Sequence, residues 1–114
     1  MSLTIKECKT SDEIISTFTV MKQLRTKLKK DDYVDTVQKM KNINQYRLIG
    51  SFEDEVCKGA LGFSMDYRLS VGGNVLYIAD LVTNENNRSQ GIGKELMNWA
   101  KEAAKKNNCT AIIL

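Results

Sequence analysis

The sequence predicts a single mixed α+β domain, residues 1–114, with the element order β-α-α-β-β-β-α-β. Three observations carry this reading. Apolar residues recur at helical spacing between residues 14 and 40, and glycine-punctuated β-rich runs then occupy residues 46–83. Finally, an amphipathic segment over 92–106 leads into a short apolar run. At 114 residues the chain is long enough to bury one core and too short for two domains.

Ile5 and its neighbours form a short first strand. Thr10-Ser11-Asp12-Glu13 then has the Thr-x-x-Glu form of a capping box. Ile14, Phe18, Met21, Leu24 and Leu28 follow at helical spacing and predict one helix with one buried stripe. Asp31 or Asp32 caps a second helix carrying Tyr33, Val34, Val37 and Met40, which ends near residues 42–44. The strands run over 46–52, 56–69 and 75–83. The acidic turn Glu53-Asp54-Glu55 and the turn Gly72-Gly73-Asn74 join them into an antiparallel meander. Gly59 and Gly62 inside the middle strand predict a bulge or a close backbone approach. The last helix, from Ile92 to about Lys106, has Ile92, Leu96, Trp99, Ala100 and Ala103 on one face, and that register places Trp99 in the core. Asn107-Asn108 ends it, and Cys109 to Leu114 reads as a strand.

Composition narrows the chemistry. The net charge of +3 is small and dispersed, which argues against nucleic acid as a partner. Lys22, Arg25, Lys27, Lys29 and Lys30 read as a solvated helix face. Cys8, Cys57 and Cys109 are widely spaced with no CxxC pair, so neither a zinc site nor a disulfide framework is expected, and a reducing cytoplasm suits them. No apolar stretch reads as a signal core or a membrane span. There is no histidine. A general base must therefore be a carboxylate, a water, or an unusual Lys, Cys or Tyr, and Ser-His-Asp and Cys-His chemistry are excluded.

The most informative feature is Arg88-Ser89-Gln90-Gly91-Ile92-Gly93, set between an apolar strand and an amphipathic helix. Its glycines allow a tight turn and a close approach, and the helix start offers unpaired N–H groups to a pyrophosphate. A Walker loop would need glycine at Arg88 and Ser or Thr at Glu95. A dinucleotide fingerprint would need glycine or alanine at Leu96. What is left is an Arg-x-x-Gly-x-Gly loop. With the strand ending Asp80-Leu81-Val82-Thr83, the helix from Ile92 and the strand opening at Cys109, it resembles the GNAT superfamily of acetyl-CoA-dependent N-acetyltransferases, over about Ile5 to Leu114. A turn that merely joins strand to helix is the plainer alternative.

The resemblance implies a GNAT-like acyl-CoA N-acyltransferase fold with acetyl-CoA as co-substrate. It also implies a primary amine acceptor on a small molecule or protein. The amides of Gln90, Gly91, Ile92, Gly93 and Lys94, in a loop that includes Ser89, would hold the pyrophosphate, with Arg88 and Lys94 adding charge. The backbone of Leu81, Val82 and Thr83 would pair with the pantetheine arm. An amide near Leu81 or Val82 would face the thioester oxygen. Asp80, a carboxylate in an apolar strand beside that point, is either the general base or a strand-end acceptor for loop amides. Glu85 is a weaker candidate in an exposed turn.

Members of this superfamily usually continue with another helix, which often carries an acidic tyrosine, and a final β-hairpin. The chain is expected to lack these elements, and Tyr33, Tyr46, Tyr67 and Tyr77 lie elsewhere in the pattern. An uncovered strand at Thr110 to Leu114 would pair with a second copy or with a separate remainder. A truncated fragment is the alternative. The rival to catalysis is a silent acyl-CoA-binding or interaction module.

Overall fold

A computed structural model describes residues 3–88 and 90–114. Its elements are β1 (Thr4–Glu7), α1 (Ser11–Ile15), α2 (Phe18–Leu24), α3 (Lys30–Asn44), β2 (Arg47–Glu53), β3 (Val56–Arg68), β4 (Gly73–Thr83), α4 (Ile92–Lys106) and β5 (Ala111–Ile113). A single 3-10 turn at Glu85–Asn87 separates β4 from the glycine loop. The strands lie in the order β1-β2-β3-β4-β5. The first three pairings are antiparallel steps of a meander, and β5 returns parallel to β4.

The element order follows the sequence reading except at the first helix, which is two helices. The capping box forms: Thr10 Oγ1 accepts from the Glu13 N–H at 3.1 Å and Glu13 Oε1 accepts from the Thr10 N–H at 2.9 Å. The break comes at Ser16-Thr17. There Ser16 Oγ donates to the Glu13 carbonyl at 2.5 Å, and Thr17 Oγ1 donates to the Ile14 carbonyl at 2.7 Å. Hydroxyls that capture carbonyls compete with the helical ladder, and here they end it. Thr17 Oγ1 has one proton and has given it to Ile14, so the 2.7 Å contact with Tyr33 is a hydrogen bond donated by the phenol. Leu28 lies beyond α2 yet still packs on the core under α1–α3.

The expected Asp31 or Asp32 cap on α3 is also corrected. Lys29 occupies the cap position without a side-chain bond, and both aspartates sit in the first turn, where the helix dipole favours them. The helix ends through Gln45 at φ 57°, and the Tyr46 N–H closes on the Met40 carbonyl at 3.2 Å.

Each face of the sheet is covered by helix. Cys8, Ile14, Val20, Met21, Tyr33, Val37, Leu48 and Ala60 form the core under α1–α3. Ile49, Leu61, Phe63, Leu76, Ile92, Leu96 and Ala100 form the core under α4. Neighbours such as Leu48 and Ile49, or Ala60 and Leu61, alternate between the two, as a pleated strand requires. Trp99 packs on Phe63 with ring centroids 5.8 Å apart, in keeping with its helical register. Arg47 stacks its guanidinium on both rings and binds Glu7 through two nitrogens at 3.0 and 2.8 Å, tying β1 to β2. That guanidinium holds the Glu7 carboxyl below its ordinary range against the opposing effect of burial.

Candidate functional site

β4 is paired with β3 along its whole length, but with β5 only through Val75, Leu76 and Tyr77. From Ile78 to Thr83 its other edge has no strand beside it among the described residues. That leaves a run of backbone N–H and C=O groups open to an extended partner. Leu81, Val82 and Thr83, the residues expected to meet a pantetheine arm, form the end of this open edge.

The linker after β4 is held from both sides. The Asn84 N–H donates to the Lys58 carbonyl at 2.8 Å, and Asn84 Oδ1 accepts from the Asn86 N–H at 3.2 Å. Gln23 of α2 accepts from the Glu85 N–H at 2.9 Å. Glu85 is exposed on this turn, as the sequence reading has it. Gln23 has no sequence signal, because its contact is 62 residues away.

Arg88 and Gln90 are exposed, and Gln90 Oε1 accepts from Asn87 Nδ2 at 3.3 Å. Ser89, the remaining loop residue singled out by the sequence, lies outside the described residues. Gly91 has φ +78° and precedes α4 without a side-chain cap. A methyl group there would meet nothing within 4 Å, so the glycine serves the left-handed backbone rather than space. The first bond of the helix runs from the Glu95 N–H to the Gly91 carbonyl at 3.0 Å. The N–H groups of Ile92, Gly93 and Lys94 therefore precede the ladder, at the positive end of the helix dipole. Gly93 lies against Thr83, whose Oγ1 would be 3.6 Å from an added methyl. The open strand edge and the bare helix start thus meet.

A bulge in β4 sets which face of the sheet carries Asp80. Gly62 faces Asp80 while Phe63 faces Ile78, which leaves Ala79 as an extra residue on β4. The sequence reading of a bulge or a close backbone approach at Gly59 and Gly62 holds in β3: Lys58, beside Gly59, is an extra residue between the Ser51–Gly59 and Phe52–Cys57 pairs, and the Tyr46 ring packs onto Gly62, while Ala79 is a second insertion, on β4. One extra residue inverts the alternation beyond it. Leu76 and Ile78 face α4, whereas Val82 joins the core under α1–α3, and Asp80, two residues before it, shares that face.

On this face Asp80 has two partners. Tyr46 donates its hydroxyl to Oδ2 at 2.8 Å, and Arg25 donates Nε to Oδ1 at 2.9 Å. Arg25 also donates from Nη2 to the Ala79 carbonyl at 3.0 Å, clasping the bulge itself. Burial first, and the Asp80 charge second, push the Tyr46 phenol far above its ordinary range, so it stays a donor. Tyr46 reaches Asp80 across Gly62, where only a glycine leaves room for its ring.

Arg25 corrects the reading of a solvated basic face, as does Lys22, whose Nζ donates to the carbonyls of Thr26 and Leu28 at 2.6 Å each. Neither contact is visible in a helical pattern, because both form at a turn. Burial raises the thiol of Cys8 to about 12 and that of Cys57 to about 11, so neither is a nucleophile at neutral pH. Among the described residues no three His, Cys, Asp or Glu side chains converge as a metal-binding group, and no helix is long and apolar enough to cross a membrane.

The sequence model of the acetyltransferase (GNAT) family matches residues 13–114. Over 103 residues the chain is 30% identical to the uncharacterized N-acetyltransferase YhdJ of Bacillus subtilis, covering 90% of this chain and 71% of that protein. Among solved structures it resembles a GNAT family acetyltransferase of Staphylococcus aureus, with a TM-score of 0.88 at 21% identity, over 100% of this chain and 86% of the other. It also resembles AAC(6')-Iy in complex with a CoA-S-monomethyl-acetylneamine bisubstrate analog. That likeness has a TM-score of 0.81 at 15% identity, over 98% of this chain and 78% of that one.

Proposed function

This chain belongs to the GNAT acetyltransferase family, and from that premise we propose that it binds acetyl-CoA and transfers the acetyl group to a primary amine. The observation that carries this reading is the continuity of the open β4 edge with the bare start of α4. An extended arm ending in a pyrophosphate needs strand-like partners and an anion-binding helix end in that order. The amides of Gln90 to Lys94 hold the pyrophosphate, with Arg88, Ser89 and Lys94 at the loop, and Leu81, Val82 and Thr83 pair with the pantetheine.

In the transfer, the amine lone pair attacks the thioester carbon, a C–N bond forms, and the C–S bond breaks with its electrons leaving on sulfur. The amine proton passes to Asp80 or through it to water, and water protonates the thiolate. Asp80 is suited to this because each carboxylate oxygen accepts one bond from Tyr46 or Arg25 and keeps a second lone pair. The engagement of both oxygens also favours a second reading, in which Asp80 is a structural tie and the chain binds acyl-CoA without turnover. The three free cysteines support a cytoplasmic setting.

Calorimetric titration of acetyl-CoA into the chain tests the first step. Saturable binding is expected, and Gly91→Glu is expected to weaken it on the order of 10²-fold by placing a carboxylate where the pyrophosphate sits. A folded wild-type chain that binds no acetyl-CoA would sink the reading. Self-pairing belongs to the same proposal: β5 is an edge strand whose Ala111, Ile112 and Ile113 are uncharged and half-buried. Light scattering at tens of micromolar, taken as roughly a practical range, is expected to find a dimer, and a stable monomer would remove that element.

A further inference from the structure

The segment joining α2 to α3 is basic, fixed in place and tied to the end of β4. Arg25, Lys27 and Lys29 lie within its five residues and Lys30 opens α3 next to it, all exposed. Asp31 and Asp32, the nearest acidic residues in sequence, sit in the first turn of α3. Lys22 pins the segment through the carbonyls of Thr26 and Leu28, and Arg25 anchors it to Ala79 and Asp80. A guanidinium carries five N–H donors. Arg25 uses one on Asp80 and one on Ala79, and the other three meet no acceptor among the described residues. Its side chain is 53% exposed while that of Asp80 is 12% exposed, so a fixed fork of donors opens to solvent directly beside a sheltered carboxylate.

We infer that the acceptor is a small zwitterion: an amine carrying a carboxylate or phosphate a few bonds from its nitrogen. The nitrogen is drawn to Asp80 and the anion to the Arg25 fork, with Lys27 and Lys29 adding attraction. This deepens the acetyl-transfer reading and rests on it. A guanidinium already held by Asp80 and Ala79 loses little freedom on gripping an anion, and it matches carboxylate and phosphate oxygens two at a time. A polyamine, by contrast, would set its second cation against Arg25 and Lys27, where like charges oppose it.

The test uses matched amines that differ in the anion: O-phosphoethanolamine against ethanolamine, and β-alanine against β-alaninamide, with spermidine as the polycation. Titrated into the ¹⁵N-labelled chain, the anionic member of each pair is expected to bind about tenfold more tightly. It should shift the Arg25 Nε–H and the amides of residues 25–30, and added salt should weaken it. With acetyl-CoA present, kcat/KM should follow the same order. Arg25→Gln is expected to reduce the preference to within about twofold, since a neutral amide supplies only an ordinary hydrogen bond. The exposed pair Lys27→Gln and Lys29→Gln should reduce it by a smaller factor and provides the test if the Arg25 variant does not fold. Equal binding within the pairs, tighter binding of spermidine, or a preference that persists in both variants would overturn the inference. A preserved preference in a chain that fails to bind acetyl-CoA would instead overturn the acetyl-transfer reading and leave an anion-selective amine site.

Discussion

Replacing Gly62 with alanine is expected to destabilise the fold by about 3 kcal/mol, at the upper end of the usual cost of overpacking. Gly62 lies mid-strand in β3, opposite Asp80, and the added methyl would overlap the Tyr46 hydroxyl and come within 2.6 Å of its Cε1. The ring has no cheap escape. Tyr46 is 5% exposed, and its hydroxyl is committed to Asp80 at 2.8 Å. Moving the ring breaks that bond and leaves a sheltered carboxylate oxygen short of a donor, which costs a further share of about 1–3 kcal/mol. Denaturant unfolding measures the effect as a lower midpoint at an unchanged slope. A loss under about 1 kcal/mol would show that the ring gives way freely and that Gly62 is not there for clearance.

Asp80→Asn is expected to lower kcat on the order of 10²-fold or more while leaving the affinity for acetyl-CoA unchanged. The substitution separates charge from geometry. Asparagine Oδ1 can still accept from Arg25 Nε, and its amide can donate to the Tyr46 hydroxyl in place of accepting from it. The cluster therefore keeps its shape, and because Arg25 is half-exposed the lost ion pair costs less than about 1 kcal/mol. Unfolding and steady-state kinetics on the same preparation divide the possible roles. A large fall in kcat in a stable protein assigns proton transfer to Asp80. Unaltered turnover removes that role and leaves the carboxylate as the tie between Arg25 and Tyr46. A fall in coenzyme affinity would place Asp80 in the donor site instead.

Much of the fold was legible because its signals are local. The capping box at Thr10 and Glu13 marks the start of α1, and the stripe from Ile92 to Ala103 marks α4. The left-handed glycine of the loop, Gly91, is recognisable beside its helix because a tight turn and a helix start need only a few consecutive residues. The break at Ser16-Thr17 was illegible to periodicity, because the apolar stripe continues across it and two hydroxyls decide otherwise. By itself, then, the sequence determined the element order apart from the split of the first helix, the family and the strand-loop-helix frame on which a coenzyme reading rests. Only the tertiary structure decided which face of β4 carries Asp80 and that Arg25 and Tyr46 hold it. The face depends on one inserted residue, Ala79, which inverts every side chain after it. That insertion is set by how β4 pairs with β3, while the two partners arrive from 55 and 34 residues away, beyond the reach of any local pattern.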